Sequence, residues 1–261
     1  VAAAELPQMA GEVGETTKVA EALRGRLSRG LRQISFFVIP TVTAFVVIGD
    51  LLVAAVFQTG QFTPELTRYV WYILVGSTIG LLAMTQGRLY SSAYYALGDT
   101  RTPLRYAIVR VLLTGVLGYL FAFPLRPLIV TFVHLLRMPI PSVEGGPLAL
   151  GAVGLTASAG VAGWIEYLLL RRGIQNRIGP VASPPAFTAK LWMASVAAGL
   201  ASVLVDRMLF RALLAEVPFA KILEALIASG IFGVLYFGIA FALGVAEVRA
   251  FLGRFVKRAR V

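Results

Sequence analysis

Six long apolar stretches set the limits on what this chain of 261 residues can fold into. A helix needs about 20 mostly apolar residues to cross the hydrocarbon core of a bilayer. Six stretches meet that need, and they cover residues 33–57, 69–97, 104–123, 148–170, 187–205 and 222–245. Mean hydropathy is +0.80, and 14% of residues are charged, against roughly a quarter in soluble domains. The sequence therefore predicts an all-α, polytopic transmembrane helix bundle.

Composition also excludes several classes of function. The chain has no cysteine and one histidine, His134, so thiolate metal sites, histidine metal clusters and His-dependent catalytic triads are not available. The sequence contains no carboxylate pair, phosphate-binding glycine loop or nucleophile elbow. The net charge of +11 comes from basic residues scattered between the apolar runs, whereas a nucleic-acid binder gathers them on one face. We expect no catalytic residues, no metal site and no nucleic-acid partner.

The Lys and Arg residues are concentrated on one side of the predicted membrane. The connections on that side carry 16 of them, and those on the other side carry 6. Because basic residues stay on the cytoplasmic side, the turn before the third span and the C-terminus are predicted to be cytoplasmic. Two basic residues, Arg88 and Arg110, remain inside predicted spans.

These two arginines are the first candidate site residues. Arg88 lies about 16 Å along its helix from Asp99, and Arg110 lies about 10 Å from Pro103. A central arginine costs at least ~2.5 kcal/mol, so such residues usually face a cavity, a partner or an ion path. With Gln86 nearby, we interpret Arg88, Gln86 and Arg110 as the lining of a polar cavity for an anion such as phosphate, which guanidinium binds through two parallel hydrogen bonds. Snorkelling or an internal ion pair is the alternative.

Other residues predict local structure. Pro40 interrupts the first span and should kink or loosen it by deleting one backbone hydrogen bond, which makes it a hinge candidate. Glu166 could pair with Arg171 or Arg172. Small residues in the second and fourth spans predict close helix packing. The segment 126–140 is too short to span comfortably, so we expect it to lie along the outer interface.

The stretch YYALGDTRTP forms a polar turn between the second and third spans. Asp99 and Thr100 can accept hydrogen bonds from free backbone N–H groups. Thr102 before Pro103 is typical of a helix N-cap followed by proline at the first helical position. Arg101 fits the excess of basic residues on the cytoplasmic side.

Several motifs together resemble those of the MurJ (MviN) family of lipid II flippases, within the multidrug/oligosaccharidyl-lipid/polysaccharide exporters. They are FQTGQFTPE, a basic residue about ten residues before an aromatic-Tyr-Ala pair, and YYALGDTRTP. The ELP followed by a basic run, the proline in FFVIPTV and the helix ending in LLLRRG agree as well. The likeness extends from Val1 to about Gly173 and weakens after that.

The resemblance implies where this chain lies in the family fold. Family members have fourteen transmembrane helices in two six-helix lobes plus a final pair, so this chain would be the second lobe and two extra C-terminal helices. We then expect residues 1–32 to hold the end of a preceding helix, stopped at Pro7, and a basic cytoplasmic loop. Residues 33–173 would form the helices of the C-terminal lobe. Residues 174–261 would form a cytoplasmic loop, the last two helices and a basic tail.

The resemblance also implies a function, that of a flippase in the bacterial inner membrane rather than an enzyme. The expected substrate is the undecaprenyl-diphosphate-linked peptidoglycan precursor, lipid II, moved by alternating access, with membrane lipid and the missing N-terminal lobe as partners. Arg88 matches a basic cavity position of the family. The span 104–123 lacks the Asn and Asp of the family's cation site, so we expect no cofactor and no such sodium site; the membrane potential or an ion gradient could drive transport. The alternatives are an exporter of another lipid-linked oligosaccharide, a drug/cation antiporter, and an inactive or scaffolding fragment.

Overall fold

The computed structural model describes residues 2–58, 62–135, 150–181, 185–210 and 220–251. Within these ranges the chain forms helices and the turns that join them. The helices are α1 (Ala2–Val47), α2 (Gly49–Phe57), α3 (Pro64–Ala96), α4 (Arg101–Ala122), α5 (Arg126–Leu135), α6 (Gly151–Ile178), α7 (Pro185–Val205) and α8 (Ala220–Ala242). A π-helical turn, Asp206–Phe210, continues α7, and helical turns over 246–251 follow α8.

Six of the described helices are long and apolar enough to cross a membrane: α1 from Lys18 onward, α3, α4, α6, α7 and α8. Each contains most of one predicted span, and the first predicted span is divided between α1 and α2. The short α5 coincides with the first part of the segment that was predicted not to span. The transmembrane helix bundle expected from the sequence is therefore confirmed.

The N-terminal region differs from its prediction. A helix end at Pro7 and a loop up to residue 32 were expected, but α1 continues as one helix from Ala2 to Val47. Residues 18–32 consist mainly of Ala, Leu, Lys, Arg and Glu, which have high helix propensity. Leu27 and Leu31, one turn apart, are buried against α3 and α6. Burial of these leucines stabilises a helix where a loop was predicted.

The helix continues across Pro40, where a kink or a loosened turn was expected. It continues to Val47, and Ile48 separates α1 from α2. Proline has no N–H to donate to the carbonyl four residues earlier, which is that of Phe36. The Tyr236 hydroxyl on α8 donates to this carbonyl at 2.7 Å, and both residues are buried. α8 therefore supplies the hydrogen bond that the proline removes.

α1 is shared by two hydrophobic cores. The first contains Phe36, Leu191 and Tyr236, and it packs α1 against α7 and α8. The second contains Tyr90 and Leu170, and it packs α1 against α3 and α6. α1 thus connects the last two membrane-crossing helices to the rest of the bundle.

α6 lies between α3 and α4, although α3 and α4 are consecutive in the sequence. α6 packs along both helices, whereas α3 and α4 barely touch each other. Where α3 meets α6, a Cβ atom added to Gly80 would overlap the Cα of Gly160. A Cβ on Gly76 would lie 2.9 Å from the carbonyl oxygen of Val153 on α6. The close packing predicted for the small residues is confirmed at this contact.

Candidate functional site

The polar turn between α3 and α4 is held by backbone contacts and by one carboxylate. Gly98 has a φ of +75°, which glycine adopts without strain, and the Asp99 N–H donates to the Tyr94 carbonyl at 3.0 Å. This pattern ends α3 in a Schellman-type cap. Asp99 Oδ1 then accepts from the Thr102 N–H at 2.9 Å, and Oδ2 accepts from the Thr102 hydroxyl at 2.6 Å. The capping role predicted for Asp99 is confirmed.

The two threonines act differently from the prediction. Thr100 makes no side-chain cap hydrogen bond. α4 begins at Arg101, so Thr102 is the second helical residue and is a donor to Asp99 rather than the cap itself. Pro103 takes the third helical position, where the missing N–H leaves no hydrogen bond unmade. Asp99, and not Thr100 or Thr102, is therefore the residue whose side chain caps α4, and it accepts both of its hydrogen bonds from Thr102.

Asp99 also contacts Arg177 near the end of α6, which was not expected from the sequence. The Arg177 Nη2 lies 2.7 Å from Asp99 Oδ2, and the guanidinium carbon lies 5.1 Å from the centre of the Tyr94 ring. The hydrogen bonds from Thr102, and then the Arg177 charge, hold the pKa of the Asp99 carboxyl well below its ordinary value. The turn is thereby fixed to α6.

Arg88 lies on an exposed face of α3. Its side chain is exposed, and no hydrogen bond or ion pair joins it to another residue in the described ranges. Ser77, Thr85, Ser92 and Tyr95 lie on the same face at helical spacing. The three hydroxyls of Ser77, Thr85 and Ser92 donate to carbonyls of their own helix, so their oxygens can still accept hydrogen bonds on this face.

The depth of Arg88 follows from its place in the helix. Eight residues, or about 12 Å, separate it from the middle of α3. A helix centred in a hydrocarbon core about 30 Å thick would therefore keep this residue inside the core, near one boundary. A charge at that depth needs polar surroundings or water, which an arginine side chain reaches either in a cavity or by extending to the lipid head groups.

Gln86 faces the interior of the bundle and not the Arg88 face. It is buried, and its Nε2 donates to the Ser35 hydroxyl of α1 at 3.1 Å. Residues two apart in an α-helix project about 200° from each other. The prediction that placed Gln86 and Arg88 in one cavity is corrected by this geometry.

Arg110 belongs to an ion pair between α4 and α6. Its Nη1 lies 3.3 Å from Glu166 Oε2, and the two side chains are 38% and 13% exposed. Glu166 was predicted to pair with Arg171 or Arg172 on its own helix, but it contacts α4 because α6 packs directly against that helix. Since α6 separates α3 from α4, Arg110 does not share a site with Arg88. The internal ion pair left open for Arg110 is the arrangement found.

No three His, Asp or Glu side chains of the described ranges come together as a metal site would require. The side chain of His134 lies outside what the structure describes, as do residues 136–140 of the segment 126–140.

Comparison with known families places these features in context. The family model described as lipid II flippase MurJ matches residues 1–230, which is most of the chain. The chain belongs to the lipid II flippase MurJ family. The resemblance seen in the motifs is confirmed, and the MurJ family is one of transporters rather than of enzymes. Together with the six long apolar helices, membership makes this chain a multi-pass protein of the inner membrane.

Individual MurJ relatives agree with the family match. The probable lipid II flippase MurJ of Rhizobium meliloti is 28% identical over 257 residues, which cover 92% of this chain and 42% of the relative. That of Vibrio cholerae is 26% identical over 145 residues, which cover 56% of this chain and 23% of the relative. This chain therefore spans less than half the length of these relatives.

A solved structure shows the same fold. It is that of a lipid II flippase MurJ in an inward closed conformation, with a TM-score of 0.60 and 19% sequence identity. The match covers 87% of this chain and 42% of that structure. The helix bundle described above is thus the architecture of part of a MurJ flippase.

Proposed function

We propose that this chain is the C-terminal half of a flippase that moves the undecaprenyl-diphosphate-linked peptidoglycan precursor from the inner to the outer leaflet. Family membership and the name of the matched structure support the lipid II substrate. The share of the relatives that the chain covers supports its place as one half of a longer protein. An N-terminal lobe would then be its partner.

The observation that carries the proposal is the unpaired Arg88 on the polar, exposed face of α3. A charged side chain that faces lipid is costly, by at least ~2.5 kcal/mol at the helix centre and by less toward a boundary, so a water-filled cavity is the better environment for Arg88. A diphosphate offers paired oxygens that a guanidinium can bind through two parallel hydrogen bonds. Arg88 is therefore the proposed contact to the diphosphate, and the neighbouring hydroxyls are proposed to line the path of the head group.

Alternating access follows from two lobes that rock about a shared site. The N-terminal lobe would close against the Arg88 face from one side of the membrane and then from the other. The polar head group would stay in the cavity while the undecaprenyl tail remains in lipid. The N-terminal lobe can close against this face of α3 only if no other helix of this half covers it, and Arg88 is exposed here.

The antiporter alternative receives no support from the site. A cation-coupled antiporter needs a carboxylate inside the membrane that is free to bind and release its cation. Glu166, the acid in the α6 span, is instead paired with Arg110. Exporters of other lipid-linked oligosaccharides in the same superfamily would bind the same diphosphate group. A contact between Arg88 and the diphosphate therefore concerns the part that these substrates share, and not the sugar or the peptide.

The proposal is tested by replacing Arg88 in a full-length protein that carries this chain as its second half. Arg88→Ala should abolish lipid II translocation, scored by complementation of a flippase-depleted strain, while the amount of protein in the membrane stays near normal. Arg88→Lys keeps the charge but loses the fork, so it should retain partial activity if the contact is bidentate. Arg105→Ala removes another exposed arginine, at the start of α4, and should leave transport unchanged.

Two outcomes would reject the role of Arg88. A stable and fully active Arg88→Ala protein would show that the diphosphate does not need this residue. A strong fall in protein amount would show that Arg88 has a structural partner, because removing one member of a buried ion pair costs about 3–5 kcal/mol.

A further inference from the structure

A cleft between α6 and α7 lies on the side of α3 opposite to Arg88. It encloses about 270 Å³. α1 and α3 form its floor, α6 forms one wall, and Val181 with the start of α7 forms the other. The cleft exists because both α6 and α7 pack against α1 but make little direct contact with each other in the described ranges.

Polar groups lie at the bottom of this cleft. Ser35 and Gln86, joined by the hydrogen bond described above, are both buried and both line it. Tyr90 and Thr188 line it as well. The Ser35 hydroxyl donates to the Leu31 carbonyl at 2.9 Å, so Ser35 and Gln86 already have partners within the protein. The Gln86 amide oxygen and the hydroxyls of Tyr90 and Thr188 can form further hydrogen bonds with a polar guest.

One cation stands at the mouth. Arg171 lines the cleft with an exposed side chain, and the buried Tyr90 lines it deeper inside. No carboxylate in the described ranges pairs with Arg171, because Glu166, the acid nearest to it on α6, is held by Arg110. The mouth therefore presents a positive charge that is free to bind an anion.

The mouth opens sideways, along a membrane-crossing helix. Leu168 lines the cleft and is 53% exposed, on a helix long and apolar enough to span the bilayer. Arg171 is about 10 Å from the middle of α6, toward the end that carries Arg177. A long arginine side chain at that depth can extend along apolar surface to the level of the lipid head groups.

The volume limits the size of the guest. Pockets for drug-sized ligands occupy roughly 300–1,000 Å³, so this cleft is suited to a group of head-group size. The large sugar and peptide portion of the proposed transport substrate would not fit inside it.

We propose that this cleft binds the phosphate head group of an anionic glycerophospholipid. Arg171 contacts the phosphate, the polar floor contacts the rest of the head group, and Leu168, which lies closer to the middle of α6, contacts the first carbons of the acyl chains. This site is separate from the Arg88 face, so it does not depend on the proposed transport role.

The test compares two neighbouring arginines. The purified 261-residue chain in detergent is titrated with phosphatidylglycerol or phosphatidylcholine, and bound lipid is counted by native mass spectrometry. The chain should prefer phosphatidylglycerol. Arg171→Gln should weaken phosphatidylglycerol binding about tenfold, as expected for loss of a charge-assisted hydrogen bond. Arg172→Gln is the matched control, because this exposed neighbour does not line the cleft, and it should keep its affinity within about twofold.

A second variant tests the cleft without changing charge. Leu168→Trp places a large side chain at the exposed mouth and should reduce binding of phosphatidylglycerol while Arg171 remains. If Arg171→Gln and Arg172→Gln weakened phosphatidylglycerol binding equally, the binding would depend on general surface charge, and the proposal would be overturned. So would normal binding by Leu168→Trp, or displacement of the lipid by millimolar inorganic phosphate, which would identify a site for free anions.

Discussion

At the scale of the single residue, Asp99 makes two kinds of contact, the capping hydrogen bonds with Thr102 and the ion pair with Arg177, and water weakens the ion pair more. The Thr102 hydrogen bonds are short and local, whereas the Arg177 side chain is 44% exposed. Exposed ion pairs usually contribute little to stability, while loss of an N-cap is felt by the whole helix. Asp99→Ala should therefore lower the thermal unfolding midpoint of the detergent-solubilised chain more than Arg177→Gln does. The reverse order would show that the ion pair, and not the cap, holds the turn.

The same carboxylate gives this comparison a pH dependence. The pKa of Asp99 is lowered in the folded chain, so its contribution to stability is complete above the ordinary value of 3.8 and is lost as the pH falls below it. The difference in unfolding midpoint between the original chain and Asp99→Ala should therefore be smaller at pH 3 than at pH 7. Asp99→Asn is the control, because its side chain still accepts a capping hydrogen bond but cannot ionise. The difference in unfolding midpoint between Asp99→Asn and Asp99→Ala should be the same at pH 3 and pH 7.

At the scale of the element, α8 and α1 are coupled through Pro40. Tyr236→Phe removes only the hydroxyl and leaves the buried Phe36 carbonyl without a donor, which should cost about 1–3 kcal/mol of the free energy of unfolding. In a Pro40→Ala background the new N–H can donate to Phe36, so Tyr236→Phe should then cost much less. Equilibrium unfolding of the four proteins in this cycle gives the coupling directly.

A neighbouring ring supplies the control for that cycle. Phe232→Leu removes a buried aromatic side chain of α8 that stacks on Tyr236 but makes no hydrogen bond to α1. Its cost should be the same in the original chain as in the Pro40→Ala background. Equal costs of Tyr236→Phe in both backgrounds would mean that the hydroxyl does not compensate for the proline. Whether Pro40 acts as a hinge in transport stays a prediction.

At the scale of the whole molecule, the charge distribution predicts an orientation that labelling can test. The chain has no cysteine, so single cysteines report without background. Cysteines at Thr100 and Asn176 should react with an impermeant reagent only from the cytoplasmic side, and a cysteine at Glu65 only from the outside. All three positions are at helix ends or turns, where side chains can be reached. Labelling of Thr100 and Asn176 from different sides would contradict the ion pair between Asp99 and Arg177 as well as the orientation.

The sequence predicted where the individual helices lie better than it predicted which helices pack together and which face each helix turns toward its neighbours. Hydropathy and length act locally, so the spans and the Asp99 cap could be recognised without knowing the packing. The partner of Glu166 could not, because nothing local in the sequence reveals that α6 lies between the consecutive helices α3 and α4. Gln86 and Arg88 are close in the sequence, but the helical repeat places their side chains on different faces of α3.

The position of α6 between α3 and α4 has a consequence for how the protein is made. α3 and α4 are consecutive in the sequence and are synthesised before α6, yet α6 is the helix that both of them pack along. The tight meeting of Gly80 and Gly160 can therefore form only after α6 has left the ribosome. Until then, α3 and α4 have few contacts with each other that could hold them in their final positions.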